Sequence, residues 1–179
     1  MVPMDRPATG PGAPETLSGV VERIVWLDEE KGFTIAELSQ EGGAKSMVLG
    51  NLAGVQCGET VDLEGGWERH PQHGAQFRVR AFRSRLPSSV HGIRKYLGSG
   101  LIHGVGKVYA DKIVAKFGER TFEVISHHSA RLREVEGIGP QRAKAIKAAW
   151  DEQRSLREVM VFLQTYGVTN ALCLRIVKA

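Results

Sequence analysis

Between Leu17 and Arg85 apolar and polar residues alternate in short runs. Leu17 to Leu27 is rich in Val and Ile, and Phe33 to Leu38 and Ser46 to Leu49 form two more runs. From Thr60 to Trp67 the residues Val61, Leu63 and Trp67 share one face, and Phe77, Val79 and Ala81 alternate with Arg78 and Arg80. A period of two marks half-buried strands. Gly32, Gly42-Gly43 and the turn His70-Pro71-Gln72-His73-Gly74 separate the runs. Five short strands predict a small closed or partly open barrel, of which the OB-fold is the commonest with five strands.

After Pro87 the period lengthens to that of helices. Ser88 or Ser89 can cap a helix through Leu97 that places Val90, Ile93 and Leu97 on one side. Gly98-Ser99-Gly100 ends it. Further helices are predicted over Val108–Phe117, Thr121–Ser126, Ala130–Val135 and Ala143–Trp150, with Pro140 in the first turn of the last, and a separate one over Ser155–Leu163. The expected fold class is therefore α+β in two domains. A five-stranded OB-like barrel at 17–86 is followed by an all-α domain at 87–179. Residues 1–16 (MVPMDRPATGPGAPET) hold almost no bulky apolar residue and are expected to form a disordered leader.

The helical half contains one pattern twice. Ile102-His103-Gly104-Val105-Gly106 with Ala110 and Ile113 is matched, 33 residues on, by Val135-Glu136-Gly137-Ile138-Gly139 with Ala143 and Ile146. Each Gly-apolar-Gly is predicted to be a tight turn between two helices. A glycine takes positive φ cheaply and lets another backbone come close. The apolar residue between the glycines, Val105 or Ile138, can plug into the helices beneath. The turn then feeds a helix N-terminus whose first amides lack an intrahelical partner, and bare amides at the positive end of a helix dipole suit an anion. The candidate binding residues are Gly104, Val105, Gly106, Lys107 and Val108 in the first turn, and Gly137, Ile138, Gly139, Gln141, Arg142, Lys144 and Lys147 in the second. A solenoid of αα-hairpins has a similar period, but neither the ankyrin nor the tetratricopeptide signature is present. A degenerate third copy, Tyr166-Gly167-Val168-Thr169 with Cys173 and Ile176, has Thr169 in place of the second glycine. Packing is its expected role, and it reads as truncated at the C-terminus.

Charge sharpens this picture. The net charge is +4, but residues 1–86 carry 9 Lys/Arg against 12 Asp/Glu, whereas residues 87–179 carry 15 against 8. The basic half holds the repeated turns, as a nucleic-acid surface requires. The acidic barrel is a poor funnel for DNA, so Trp26, Phe33, Trp67, Phe77 and Phe82 are expected mainly to fill it rather than stack bases. Arg78, Arg80, Arg83 and Arg85 can extend a basic track toward the helices. Cys57 and Cys173 lie far apart with no metal or disulfide spacing, which suits reduced thiols in a cytoplasmic protein. His70 and His73 lack further ligands at zinc spacing. Gly106-Lys107 resembles the end of a phosphate-binding P-loop, but Leu101 and Val108 stand where that loop needs Gly and Ser or Thr. No catalytic motif is recognisable, no cofactor is expected for these residues, and no apolar run approaches a membrane span.

The repeated turns resemble helix-hairpin-helix motifs, which grip DNA phosphates without reading bases. More of the chain resembles the N-terminal region of RecD-like ATP-dependent DNA helicases. The likeness rests on Leu17-Ser18-Gly19-Val20-Val21-Glu22-Arg23-Ile24, Gly32-Phe33-Thr34-Ile35, and Gly66-Trp67-Glu68-Arg69-His70-Pro71-Gln72-His73-Gly74-Ala75-Gln76-Phe77. It continues through Leu86-Pro87-Ser88-Ser89, Ile93, Tyr96-Leu97 and Ser99-Gly100-Leu101-Ile102. That resemblance implies a barrel and tandem hairpins preceding two RecA-like motors, which hydrolyse ATP with Mg and move 5′ to 3′ on single-stranded DNA in repair and recombination. The implied partners are single-stranded or forked DNA and the motor domains of a longer parent. A monomer away from membranes is expected. Two other readings stay open: a tetrameric Holliday-junction binder resembling RuvA, and a protein-interaction module with purely structural hairpins.

Overall fold

The computed structural model describes residues 14–179. Strand β1 (Glu15–Asp28) opens the barrel and is followed by β2 (Phe33–Ser39), β3 (Lys45–Asn51), β4 (Thr60–His70) and β5 (Gly74–Arg85). The strands close in the order β1-β2-β3-β5-β4, with β3 and β5 parallel and the other pairs antiparallel. Most of the expected leader lies outside the described residues. Glu15 and Thr16 do not belong to it, because they pair with Gly65 and Glu64 of β4 and so help close the barrel.

Inward-facing Val21, Ala36, Leu38, Val48, Val61, Leu63 and Phe77 form the barrel core. Phe77 is fully buried, as a barrel-filling aromatic should be. Trp67 and Trp26 depart from the expectation that the aromatics fill the barrel, being 37% and 50% exposed. Among the described residues, strand β4 beyond Gly65 pairs with β5 alone. Trp67 therefore lies on a two-stranded ribbon, its ring meeting that of Phe77 edge-on at 5.4 Å. At the ribbon tip the rings of His70 and His73 stack 4.6 Å apart.

The second domain holds α1 (Val90–Gly98), α2 (Lys107–Phe117), α3 (Thr121–His127), α4 (Pro140–Thr165) and α5 (Asn170–Lys178), with 3-10 turns at Gly118–Arg120 and Ser129–Glu134. Ser89 caps α1 by accepting from the Gly92 amide. The 3-10 turn at Ser129–Glu134 replaces the helix expected over Ala130–Val135. The two helices expected on either side of residues 151–154 are one continuous α4 of 26 residues. Asp151-Glu152-Gln153-Arg154 contains no breaker, and the pairs Lys147–Asp151 and Arg154–Glu158 bridge successive turns. Ile93, Leu97, Ile102, Val105, Ile113, Ile125, Leu132, Ile138, Ile146 and Trp150 share one core. No described helix is long and apolar enough to cross a membrane.

The two domains meet closely. Gly58, at φ +86°, lies against α1, where a Cβ would come 2.5 Å from the Tyr96 nitrogen and press on the Gly92 carbonyl. Glu22 of β1 accepts from Lys95 Nζ at 2.9 Å and pairs with His91 Nε2 at 2.8 Å. Glu59, almost fully buried, pairs with Arg157 of α4 and accepts from the Gln56 amide at 3.2 Å. Burial pushes the Glu59 carboxyl up against the pull of Arg157, and burial beside Glu59 pushes the Tyr96 hydroxyl up to about 12. Met160 of α4 and Ala171 of α5 lie over Gly54 and Gly32, so the third hairpin packs on the barrel.

Candidate nucleic-acid interface

Both repeated turns have the same local build. Gly104 and Gly137 adopt φ of +88° and +87°, a region that L side chains resist. The amide of the following residue bonds back across the turn, Val105 to Ile102 and Ile138 to Val135, each at 3.1 Å. Val105 and Ile138 are 3% and 4% exposed and anchor the turns in the core. They hold the turns from below, so their side chains do not face solvent. The second glycine of each turn is then the N-cap of a helix. Gly106 caps α2 and Gly139 caps α4, with no side chain to satisfy the first amides.

Those amides are therefore bare. The first capping bonds run from Ala110 to the Gly106 carbonyl and from Ala143 to the Gly139 carbonyl. Among the described residues nothing accepts from the amides of Gly106, Lys107, Val108 and Tyr109, or from those of Gly139, Gln141 and Arg142. Pro140 at the first helical position has no N–H to offer. Around Gly104, Gly106 and Gly139 a Cβ would meet nothing within 4 Å, so these backbones are open to approach.

The two turns face one way. His103 and Gly104 of the first line an open groove of about 680 Å³ together with Gly137, Gly139, Pro140, Gln141, Arg142 and Ala145. Gln141 is exposed there, and Arg142 lies over the Tyr109 ring with its guanidinium carbon 4.3 Å from the centroid. Lys107 and Lys144 are exposed and join no ion pair among the described residues. Exposed Glu136 beside Gly137 opposes an anion at the second turn.

Lys147 is a correction to the expected set. It does not stand free beside the groove, because its ammonium donates to the Ser126 carbonyl at 2.7 Å and pairs with Asp151 at 2.8 Å. Two of its donors are so engaged, and the bond to Ser126 ties α4 to the end of α3. The third copy repeats the fold of the turn without its chemistry. Gly167 has φ +78°, but Thr169 caps α5 and accepts from the Leu172 amide at 3.4 Å, consuming a donor left bare in the other two. Nothing in the spacing of Tyr109 says that α2 reaches the second turn, where its hydroxyl lies 3.5 Å from the Gly137 carbonyl. A separate apolar cavity of about 310 Å³ between Leu86, Tyr96, Phe122 and Trp150 shares no lining residue with the groove. Its arginines are already paired, Arg154 with Glu158 and Arg157 with Glu59.

Residues 14–87 match the family of the OB-fold domain of the ATP-dependent DNA helicase YrrC. Those residues are similar to that OB-fold family, and their five strands close into a barrel. The chain as a whole is 29% identical over 175 residues to the ATP-dependent RecD2 DNA helicase of Deinococcus radiodurans. That alignment takes in 94% of this chain and 24% of the relative, so the chain spans about a quarter of that helicase's length. The likeness to that helicase thus runs through the helical half as well as through the barrel.

Proposed function

We propose that this chain binds DNA by its phosphates, without reading base sequence, as the N-terminal part of a RecD-like 5′-to-3′ ATP-dependent helicase acting in repair and recombination. The observation that carries the reading is the shared groove, into which two glycine-capped helix N-termini present unpartnered amides. Lys107, Arg142 and Lys144 add charge beside them. Backbone donors and flexible cations fit a phosphate chain and leave base edges unread. ATP and Mg belong, in this reading, to motor domains beyond these residues, and the DNA is single-stranded or forked. The similarity to the YrrC barrel family and to the RecD2 helicase supports the same assignment.

The test uses Gly106→Leu and Gly139→Leu. Both glycines have φ near −90°, which any residue adopts, and both have empty space where a Cβ would go. A side chain there costs the fold only the poorer N-cap, about 1 kcal/mol, while blocking close approach of a phosphate. Fluorescence anisotropy with labelled oligonucleotides should show weaker binding for each, and log K for the parent should fall linearly with log salt. Variants that stay folded and bind as the parent does would remove the turns from the interface.

A further inference from the structure

Tyr109 grows from the helix of the first turn, but its side chain touches the second. Its hydroxyl donates to the Gly137 carbonyl over a long 3.5 Å. A Cβ on Gly137 would lie 3.1 Å from that hydroxyl and 3.2 Å from Cε1, so the bare glycine is what lets the ring settle there. Over the same ring lies Arg142, its guanidinium carbon 4.3 Å from the centroid, and Lys112 Nζ lies 5.8 Å from the centroid. One half-buried aromatic thus bridges two turns 33 residues apart in sequence and gathers a cation from each of the helices that follow them.

We infer that Tyr109 is a positioning residue that sets the spacing of the two turns and aims the Arg142 guanidinium at the DNA backbone. The inference rests on the DNA-binding reading above. A guanidinium lying on a ring keeps its in-plane N–H edge free, and that edge matches a phosphate. Stacking removes rotamers that the side chain would otherwise lose on binding, which is how preorganisation raises affinity. Two turns held at a constant separation also act as one bivalent site, the second contact forming at high effective concentration once the first is made. Without the bridge the same groups remain, but their register is lost.

The experiment measures oligonucleotide binding by the full chain across a salt series. Tyr109→Leu should lose about tenfold in affinity and flatten the salt slope by about one, while Tyr109→Phe, which keeps the ring and the stack, stays within about twofold. Arg142→Ala should cost far less in the Tyr109→Leu background than alone, whereas Lys107→Ala should cost the same in both. A general loosening of the helices would instead weaken every contact alike. Arg142→Lys carries the test on an exposed side chain outside the buried core: it should bind nearly as poorly as Arg142→Ala, because an ammonium does not replace a guanidinium fork held over the ring. Equal costs of Arg142→Ala in both backgrounds, or Arg142→Lys binding like the parent, would overturn the role of Tyr109. Should Gly106→Leu and Gly139→Leu weaken binding while Tyr109→Leu does not, only this inference fails; should none of them weaken it, the DNA-binding reading fails first.

Discussion

Replacing Gly58 with alanine tests whether the barrel and the helices are joined by direct backbone contact. Two costs follow from the geometry. At φ +86° an alanine sits in the left-handed region, at about 1–2 kcal/mol. The added Cβ would also lie 2.5 Å from the Tyr96 nitrogen and against the Gly92 carbonyl, where backbone rather than a flexible side chain must give way. Overpacking of that kind costs about 1–3 kcal/mol, so the sum is about 2–5 kcal/mol. Gly42 supplies the control, since its φ is +89° and a Cβ there meets nothing within 4 Å. Gly42→Ala pays the conformational cost alone. For a chain of this size each kcal/mol moves Tm by about 2–4 °C. Thermal unfolding followed by circular dichroism should therefore fall by about 2–8 °C for Gly42→Ala and by about 4–20 °C for Gly58→Ala. Equal shifts for the two would refute the argument, because the contact term would then be absent.

Three other outcomes follow from the interface and the junction. Lys144→Ala should reduce the salt slope of DNA binding by about one with stability unchanged, whereas Lys147→Ala should lower Tm and leave the slope alone, since its ammonium is held by Ser126 and Asp151; the opposite pattern would reinstate Lys147 as a phosphate contact. Glu136→Gln should strengthen DNA binding severalfold at low salt and less at high salt, as removal of a like charge beside the second turn requires, and an affinity that does not rise would place the DNA path away from Gly137. At Glu22 burial works to raise the carboxyl, but hydrogen bonds from Lys95 and His91 outweigh it and hold it below its ordinary 4.5. Its contribution to stability is thus complete above that value and lost as pH falls through the depressed one, so Lys95→Met should flatten the acid limb of a stability–pH profile, and an unchanged limb would mean that Glu22 does not clamp the domains.

The sequence by itself determined what depends on neighbours along the chain. Alternation from Leu17 to Arg85 specified five strands and the buried faces of most, because a strand's side chains must point to opposite sides in turn. The two Gly-apolar-Gly turns were equally legible, since Gly104 and Gly137 answer a local demand for positive φ. Only the tertiary structure decided what covers each face and which charges remain free. Lys144 and Lys147 lie one helical turn apart with the same chemistry, yet one is open and the other is spent on a carbonyl 21 residues away. Trp67 follows the period of Val61 and Leu63 but is 37% exposed, beyond the described pairing of β4 with β1. That the two turns open into one groove, with Tyr109 between them, depends on how α2 and α4 pack. Periodicity says which side of an element is apolar; it carries no information about the element that will lie against it, and availability for binding is a property of that second element.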